Sequence, residues 1–289
     1  MDKKKIRLKG HESFVLREGW ISKGLHGVEK DPQIFSEYSG ADILGVGTNM
    51  GKSIRYWLRA AKLTRDVPKV GVVLTELGKL ILKKDPYIEY LFTLFILHAN
   101  ISMNYEQATS WALFFNEFEA NECTREVMPL LMRQALEKYT GNYDETFSER
   151  SISDDCLAIC NMYLENDNKK GKLPEDTGVC PFVELGLLQK TAKYIKKVAP
   201  SHNKLSPVVL YYVILMNMNG RTSLSIDEIA TEKKMPGKIF NLSRMDVYGY
   251  VEELSRMRLA DVNRTAGLDM VYPNTMYPIL DIVERYYGV

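Results

Sequence analysis

The sequence predicts a mainly α protein with an N-terminal winged helix-turn-helix, a central helical scaffold and a C-terminal winged-helix-like module. Three observations predict it. Residues Gly40 to Leu82 run as a short helix, a Gly-bearing turn, a longer helix, a short hairpin and another helix, which is the order of a winged helix-turn-helix. From Asp85-Pro86 onward the chain becomes a series of amphipathic helical segments. After Leu224 a second helix-turn-helix and hairpin pattern follows, similar in layout though not in sequence. The expected domains are therefore 1–86, 87–200 and 201–289.

Taken in order, residues 6–16 alternate enough to suggest a short strand and turn, and Trp20 to Val28 begins the first helix, which Asp31-Pro32 ends. In the next pair of helices Gly45 and Gly47 supply the tight turn and Thr48 serves as N-cap. Met50, Ile54, Trp57, Leu58 and Ala61 recur at helical spacing and should pack inward. That leaves Asn49, Lys52, Ser53, Arg55, Tyr56 and Arg59 on the remaining faces. Lys and Arg attract phosphates whatever the sequence, and Asn and Arg can also make bidentate bonds to base edges. Thr48, Asn49, Lys52, Ser53, Arg55, Tyr56 and Arg59 are thus the expected contacts to double-stranded DNA. The competing reading is a compact helical module whose Lys and Arg are simply solvated.

Gly51-Lys52-Ser53 imitates the end of a phosphate-binding loop. Such a loop needs a glycine five positions before the Gly-Lys pair, and Val46 stands there, so no nucleotide-binding loop is expected.

Helices are expected at Tyr87 to Asn100, Tyr105 to Glu119, Thr124 to Tyr139 and Ser153 to Leu164. Trp111, Phe114, Phe115 and Phe118 form an aromatic stripe that reads as core. Asn166 to Gly178 is polar and holds Gly and Pro, so it reads as an exposed loop. A helix from Pro181 to about Val198 and an apolar helix from Val208 to Met218 follow. The second module comprises Ser225 to Thr231, a Pro236-Gly237 turn, Asp246 to Met257 and a hairpin within Leu259 to Tyr272. Arg244, Arg256, Arg258 and Arg264 give it a cationic rim, and dimerisation or domain packing is its alternative role.

Charge is balanced overall, with 38 Lys and Arg against 37 Asp and Glu, so any anion-binding surface must be local. Residues 1–70 hold 14 basic against 8 acidic residues, and residues 142–180 hold 4 against 9. The 45% hydrophobic content is ordinary for a globular protein and gives no sign of disorder. The lysines near the start precede no apolar run of signal-peptide length, and Tyr90 to Ala99 is too short to span a bilayer; a cytoplasmic protein without membrane partners is expected. Cys123, Cys156, Cys160 and Cys180 form no C-x-x-C pair and have no nearby His, so no metal site is expected and the thiols read as reduced and mostly buried.

The catalytic residues, if any, are not apparent. Asp154, Asp155, Glu165 and Asp167 form the densest acidic group, yet adjacent Asp154 and Asp155 must point to different helix faces, and a solvated acidic face is the expectation. His11 beside Glu12 invites a general-base reading, set against a hydrogen-bonding role in the N-terminal fold. His98, in an apolar helix, reads as a satisfied core residue.

Together, Lys9-Gly10-His11-Glu12-Ser13-Phe14-Val15-Leu16-Arg17-Glu18-Gly19-Trp20, the Leu44 to Met50 turn with Ser53 to Trp57, Leu74 to Gly78, Asp85-Pro86-Tyr87 and Cys180 to Leu187 resemble a bacterial domain-of-unknown-function family that includes the SspB component of DNA phosphorothioation systems. The resemblance runs over nearly the whole chain. It implies a DNA-acting, DNA-nicking protein of a modification and phage-defence complex, alongside a sulfur-transfer enzyme and an ATPase, with Mg²⁺ or Mn²⁺ needed if nicking is metal-dependent. No catalytic motif carries over onto particular residues. A non-enzymatic winged-helix regulator or an adaptor subunit remains the alternative.

Overall fold

Helices dominate the computed structural model, which describes residues 4–143, 146–165, 180–265 and 268–287. Three small antiparallel sheets accompany them among the described residues. The chain divides into two units, Met1–Lys197 and Val198–Val289. The first unit spans the expected N-terminal stretch 1–86 and residues 87–197, and its opening segment is bonded to residues far along the chain. Arg7 N–H donates to Thr109 Oγ1 at 2.8 Å and Lys9 N–H to Asp155 Oδ1 at 3.0 Å.

In the first unit, α1 (Trp20–Lys30), α2 (Ala41–Leu44) and α3 (Thr48–Ala60) precede a hairpin of β1 (Thr64–Val67) and β2 (Gly71–Leu74), then α4 (Glu76–Lys84). α1 buries Trp20, Ile21, Leu25 and Val28 on one face, and its Gly24 lets Ile54 and Leu58 of α3 approach closely. Within residues 6–16 the expected turn is present, at 8–13 with Glu12 and Ser13 at positive φ, but the residues around it form no strand. Gly45 ends α2 at φ 63°, the left-handed position that glycine adopts without steric cost. The N-cap of α3 is Gly47, not Thr48, and no side chain caps that end.

Gly51 decides how α3 sits. A Cβ there would lie 2.2 Å from the Ser39 carbonyl oxygen, so this interior helix position tolerates no side chain. Gly51→Ala should destabilise the protein by about 1 to 3 kcal/mol despite alanine's better helix propensity, because backbone must shift; urea unfolding measures it. Packing thus accounts for the glycine of the Gly-Lys-Ser sequence.

The hairpin is pinned to the loop after α1. Val72 N–H donates to Pro32 O at 2.8 Å, Gln33 Nε2 donates to Val70 O at 2.5 Å, and Gly71, at φ 116°, has no room for a Cβ against Pro32 O. Register pairs Asp66 with Val72 and Val67 with Gly71.

The rest of the unit is built on α5 (Leu91–Ser102), α6 (Thr109–Asn116), α7 (Met128–Thr140) and α8 (Glu149–Tyr163). Asp85 organises the entry to α5 by accepting from Glu89 N, Tyr90 N and Thr93 Oγ1 at 2.8, 3.1 and 2.6 Å. Trp111, Phe114, Phe115 and Phe118 are core residues, and His98 is buried with Nδ1 2.7 Å from Tyr163 Oη. β3 (Glu122–Thr124) pairs with β5 (Tyr194–Lys197), which pairs with β4 (Leu188–Thr191). The helix expected from Pro181 to Val198 is instead a 3-10 turn, Pro181–Leu185, stopped by Gly186 at φ 66° and followed by this β4–β5 hairpin. Helix α7 likewise begins at Met128, since Glu122–Thr124 is taken by the sheet. The expected Asn166 to Gly178 loop lies outside the described residues.

The second unit holds α9 (Pro207–Met216), β6 (Leu224–Ser225), α10 (Ile226–Thr231), α11 (Pro236–Ile239), α12 (Arg244–Arg256), β7 (Ala260–Thr265), β8 (Leu268–Pro273) and α13 (Ile279–Tyr286). Strand order is β6-β8-β7, with β8 central. Ser225 and Ser243 each form a capping box, with Glu228 and Asp246, which fixes where α10 and α12 start. No helix among the described residues is long and apolar enough to cross a membrane.

Candidate nucleic-acid interface

Helix α3 presents one outward stripe. Asn49 and Lys52 are exposed and Arg55 and Arg59 are partly so, at spacings of three, three and four residues that keep them on one side. Thr48 is exposed at the head of the helix. Lys52 Nζ donates to Asn49 Oδ1 at 3.3 Å, linking the first two members.

Two of the seven expected contact residues face inward. Ser53 is fully buried and donates to Phe14 O at 3.3 Å. Tyr56 is buried among His11, Trp57 and the Arg7 guanidinium, and burial pushes its phenol far above the usual range, first by desolvation and then by the Asp155 charge. The reason is that α3 is covered on two sides. Helix α1 takes Ile54 and Leu58, while the opening segment and α6 take Ser53, Tyr56 and Trp57, so the buried arc is wider than the apolar stripe indicates.

The two arginines converge on a residue that sequence reasoning missed. Arg55 Nη2 lies 2.7 Å from Asp66 Oδ1 and Arg59 Nη1 lies 3.0 Å from Asp66 Oδ2, so a single carboxylate on β1 engages both guanidiniums. Arg55 Nε is buried without a hydrogen-bond partner among the described residues. Beside this triad is an open depression of about 400 Å³ lined by Gln33, Arg55, Asp66, Pro68 and Lys69, among others. Strand alternation sends neighbouring Arg65 into a different depression, with Glu29, Glu76 and Lys79.

A second polar cluster lies inside the unit. Asp155 Oδ1 accepts from His11 Nε2 at 2.9 Å and from Lys9 N, while Oδ2 accepts from Ser110 Oγ at 2.5 Å. His11 and Asp155 are buried, and His11 stacks on Trp57 and meets Trp111 edge-on. Asp155 therefore does not belong to a solvated acidic face. Only its neighbour Asp154 is near the surface, paired with Lys9 Nζ at 2.5 Å. His11 has its structural role, and its enclosure leaves no space for a substrate. Asp167 lies outside the described residues.

The four cysteines carry no disulfide; Cys156, Cys160 and Cys180 are buried and Cys123 is partly so. Burial pushes the Cys160 and Cys180 thiols up to about 11 and about 12, which keeps them protonated at neutral pH. Among the described residues no three His, Cys, Asp or Glu side chains converge to hold a metal ion.

In the second unit the expected cationic rim is partly neutralised. Arg244 Nε lies 2.5 Å from Asp227 Oδ1, and Arg264 pairs with Glu252 while resting on the Tyr248 ring. Arg256 and Arg258 are exposed.

Fold and surface thus define a mainly helical protein with small sheets and a cationic helix face flanked by a short hairpin. The chain belongs to the family described as protein of unknown function (DUF4007), whose model matches residues 8–287. It is similar to an SspB crystal structure and to a magnesium ion-bound SspB crystal structure. Each has 24% sequence identity and a TM-score of 0.84, over 97% of this chain and 88% of the other. No curated protein matches it.

Proposed function

We infer that the protein is a DNA-binding component of a bacterial DNA phosphorothioate modification and phage-defence system, and that α3 with the β1–β2 hairpin acts as its winged helix-turn-helix. The observation that carries DNA contact is the Asn49, Lys52, Arg55 and Arg59 stripe beside the hairpin. The stripe combines phosphate-neutralising cations with side chains able to read base edges. The likeness to SspB supports the system, and nicking comes from the family resemblance alone. One of the similar structures is a magnesium ion-bound SspB; the contact proposed here for α3 is made by side-chain cations and amides.

Changing both Arg55 and Arg59 to alanine tests the reading. The folded double variant should bind duplex DNA more weakly, and its plot of log affinity against log salt should flatten by up to about two units, roughly 0.9 for each phosphate no longer neutralised. Unchanged binding and slope in a variant with native circular dichroism would refute the assignment of α3.

The adaptor reading has its own support in the second unit. Its order of helix, strand, three helices and hairpin, with β8 central, supports a winged-helix reading, yet Arg244 and Arg264 are engaged by carboxylates and Met245 protrudes from α12. A surface of paired charges with exposed apolar groups suits a protein partner, such as another subunit or a second copy of this chain, better than a phosphate backbone.

A further inference from the structure

We propose that Asp66 is a built-in competitor for DNA phosphate that holds the α3 arginines in check and suppresses binding to DNA of arbitrary sequence; this rests on the DNA-contact reading above. One Asp66 oxygen meets each guanidinium, at 2.7 and 3.0 Å, which is how a phosphate presents two oxygens to two arginines. The carboxylate is delivered by the fold rather than drawn in by the arginines. The hairpin that carries it is fixed by Val72 N to Pro32 O, Gln33 Nε2 to Val70 O and the close approach of Gly71 to Pro32, none of which involves Asp66.

The charge consequence is direct. Asp66 cancels one of the two arginine charges and stands where an approaching phosphate would stand, so phosphate contact alone must displace a carboxylate of like sign. DNA that also supplies hydrogen bonds to Asn49 and the guanidiniums through its base edges can compensate for that displacement. Mixed-sequence DNA compensates for it only in part, so it still reaches the arginines but binds more weakly. The geometry leaves room for the exchange, because the depression beside the triad is open, Lys69 also lines it and Arg55 Nε has no partner among the described residues. Asp66 itself is about one-third exposed, so a phosphate can reach it.

The test uses the full chain and a mixed-sequence DNA duplex, comparing wild type, D66N, D66E, R55A/R59A and D66N in the R55A/R59A background. D66N keeps the size of the side chain and removes its charge. It should bind the duplex roughly tenfold more tightly at low salt, with a salt slope steeper by about one unit. D66E retains the charge and should remain close to wild type. The gain from D66N should vanish in the R55A/R59A background, because the arginines it frees are gone. If R55A/R59A weakens binding but D66N is equal to or weaker than wild type, the competitor role is overturned while the DNA reading stands. A D66N gain that persists without the arginines also overturns it. If R55A/R59A leaves duplex binding unchanged, the DNA reading fails and the competitor role fails with it.

Discussion

Trp57→Ala should cost the protein about 3 to 5 kcal/mol, enough to unfold the first unit in mild denaturant. Trp57 is fully buried at the junction of three chain segments. Its ring meets Trp111 of α6 edge-on at 5.2 Å, stacks on His11 at 6.0 Å and touches the neighbouring Tyr56, while Nε1 donates to Phe14 O at 3.2 Å. Alanine removes all of these and opens a cavity that these rings, held on separate elements, cannot close together. Urea unfolding followed by circular dichroism reads the loss. A shift of less than about 1 kcal/mol would mean that the three segments do not depend on this ring.

Asp155→Ala should be of similar severity, about 3 to 5 kcal/mol, for an electrostatic reason. Two buried donors, His11 Nε2 and Ser110 Oγ, and the partly buried Lys9 N converge on this carboxylate and would lose their acceptor together. His11 has no fallback, since its Nδ1 is buried without a partner among the described residues. Asp154→Ala provides the contrast. That residue forms a partly exposed pair with Lys9, worth at most about 1 kcal/mol. Equal losses in the two variants, measured by the same urea titration, would contradict the distinction between them.

Much of the helical layout was legible because helical spacing is a local property. The apolar positions of α3, the aromatic stripe of α6 and the apolar α5 and α9 announce themselves within a dozen residues. What was not legible depended on distant partners. Leu188 and Ile195 are buried by pairing with one another's strands and with β3, more than sixty residues earlier in sequence, while the intervening Gln and Lys residues suit a helix equally well. Ser53 and Tyr56 look like surface residues until the opening segment and α6 are laid on them. Adjacency correctly separates Asp154 and Asp155 onto different faces, but nothing local says which face is inside. Asp66 carried only a faint signal, one acid among basic residues, and its pairing with both arginines depends on the hairpin's placement. The cationic stripe was therefore readable, and the carboxylate that tempers it was not.

The bond between His11 and Asp155 joins residues 144 positions apart. Synthesis on the ribosome runs from the first residue to the last, so His11, Tyr56 and Trp57 leave the exit tunnel long before Asp155 has been made. Helix α3 can form early against α1, but its Tyr56 and Trp57 side is not closed until α6 supplies Trp111 and α8 supplies Asp155, which holds Lys9 and His11 of the opening segment. The helix that carries the cationic stripe is thus encoded near the start of the chain, and its packing is completed only after more than half of the chain has been translated. Between those two moments, a Trp- and Tyr-rich face is open to chaperones, and a pause in translation before α8 would lengthen that exposure.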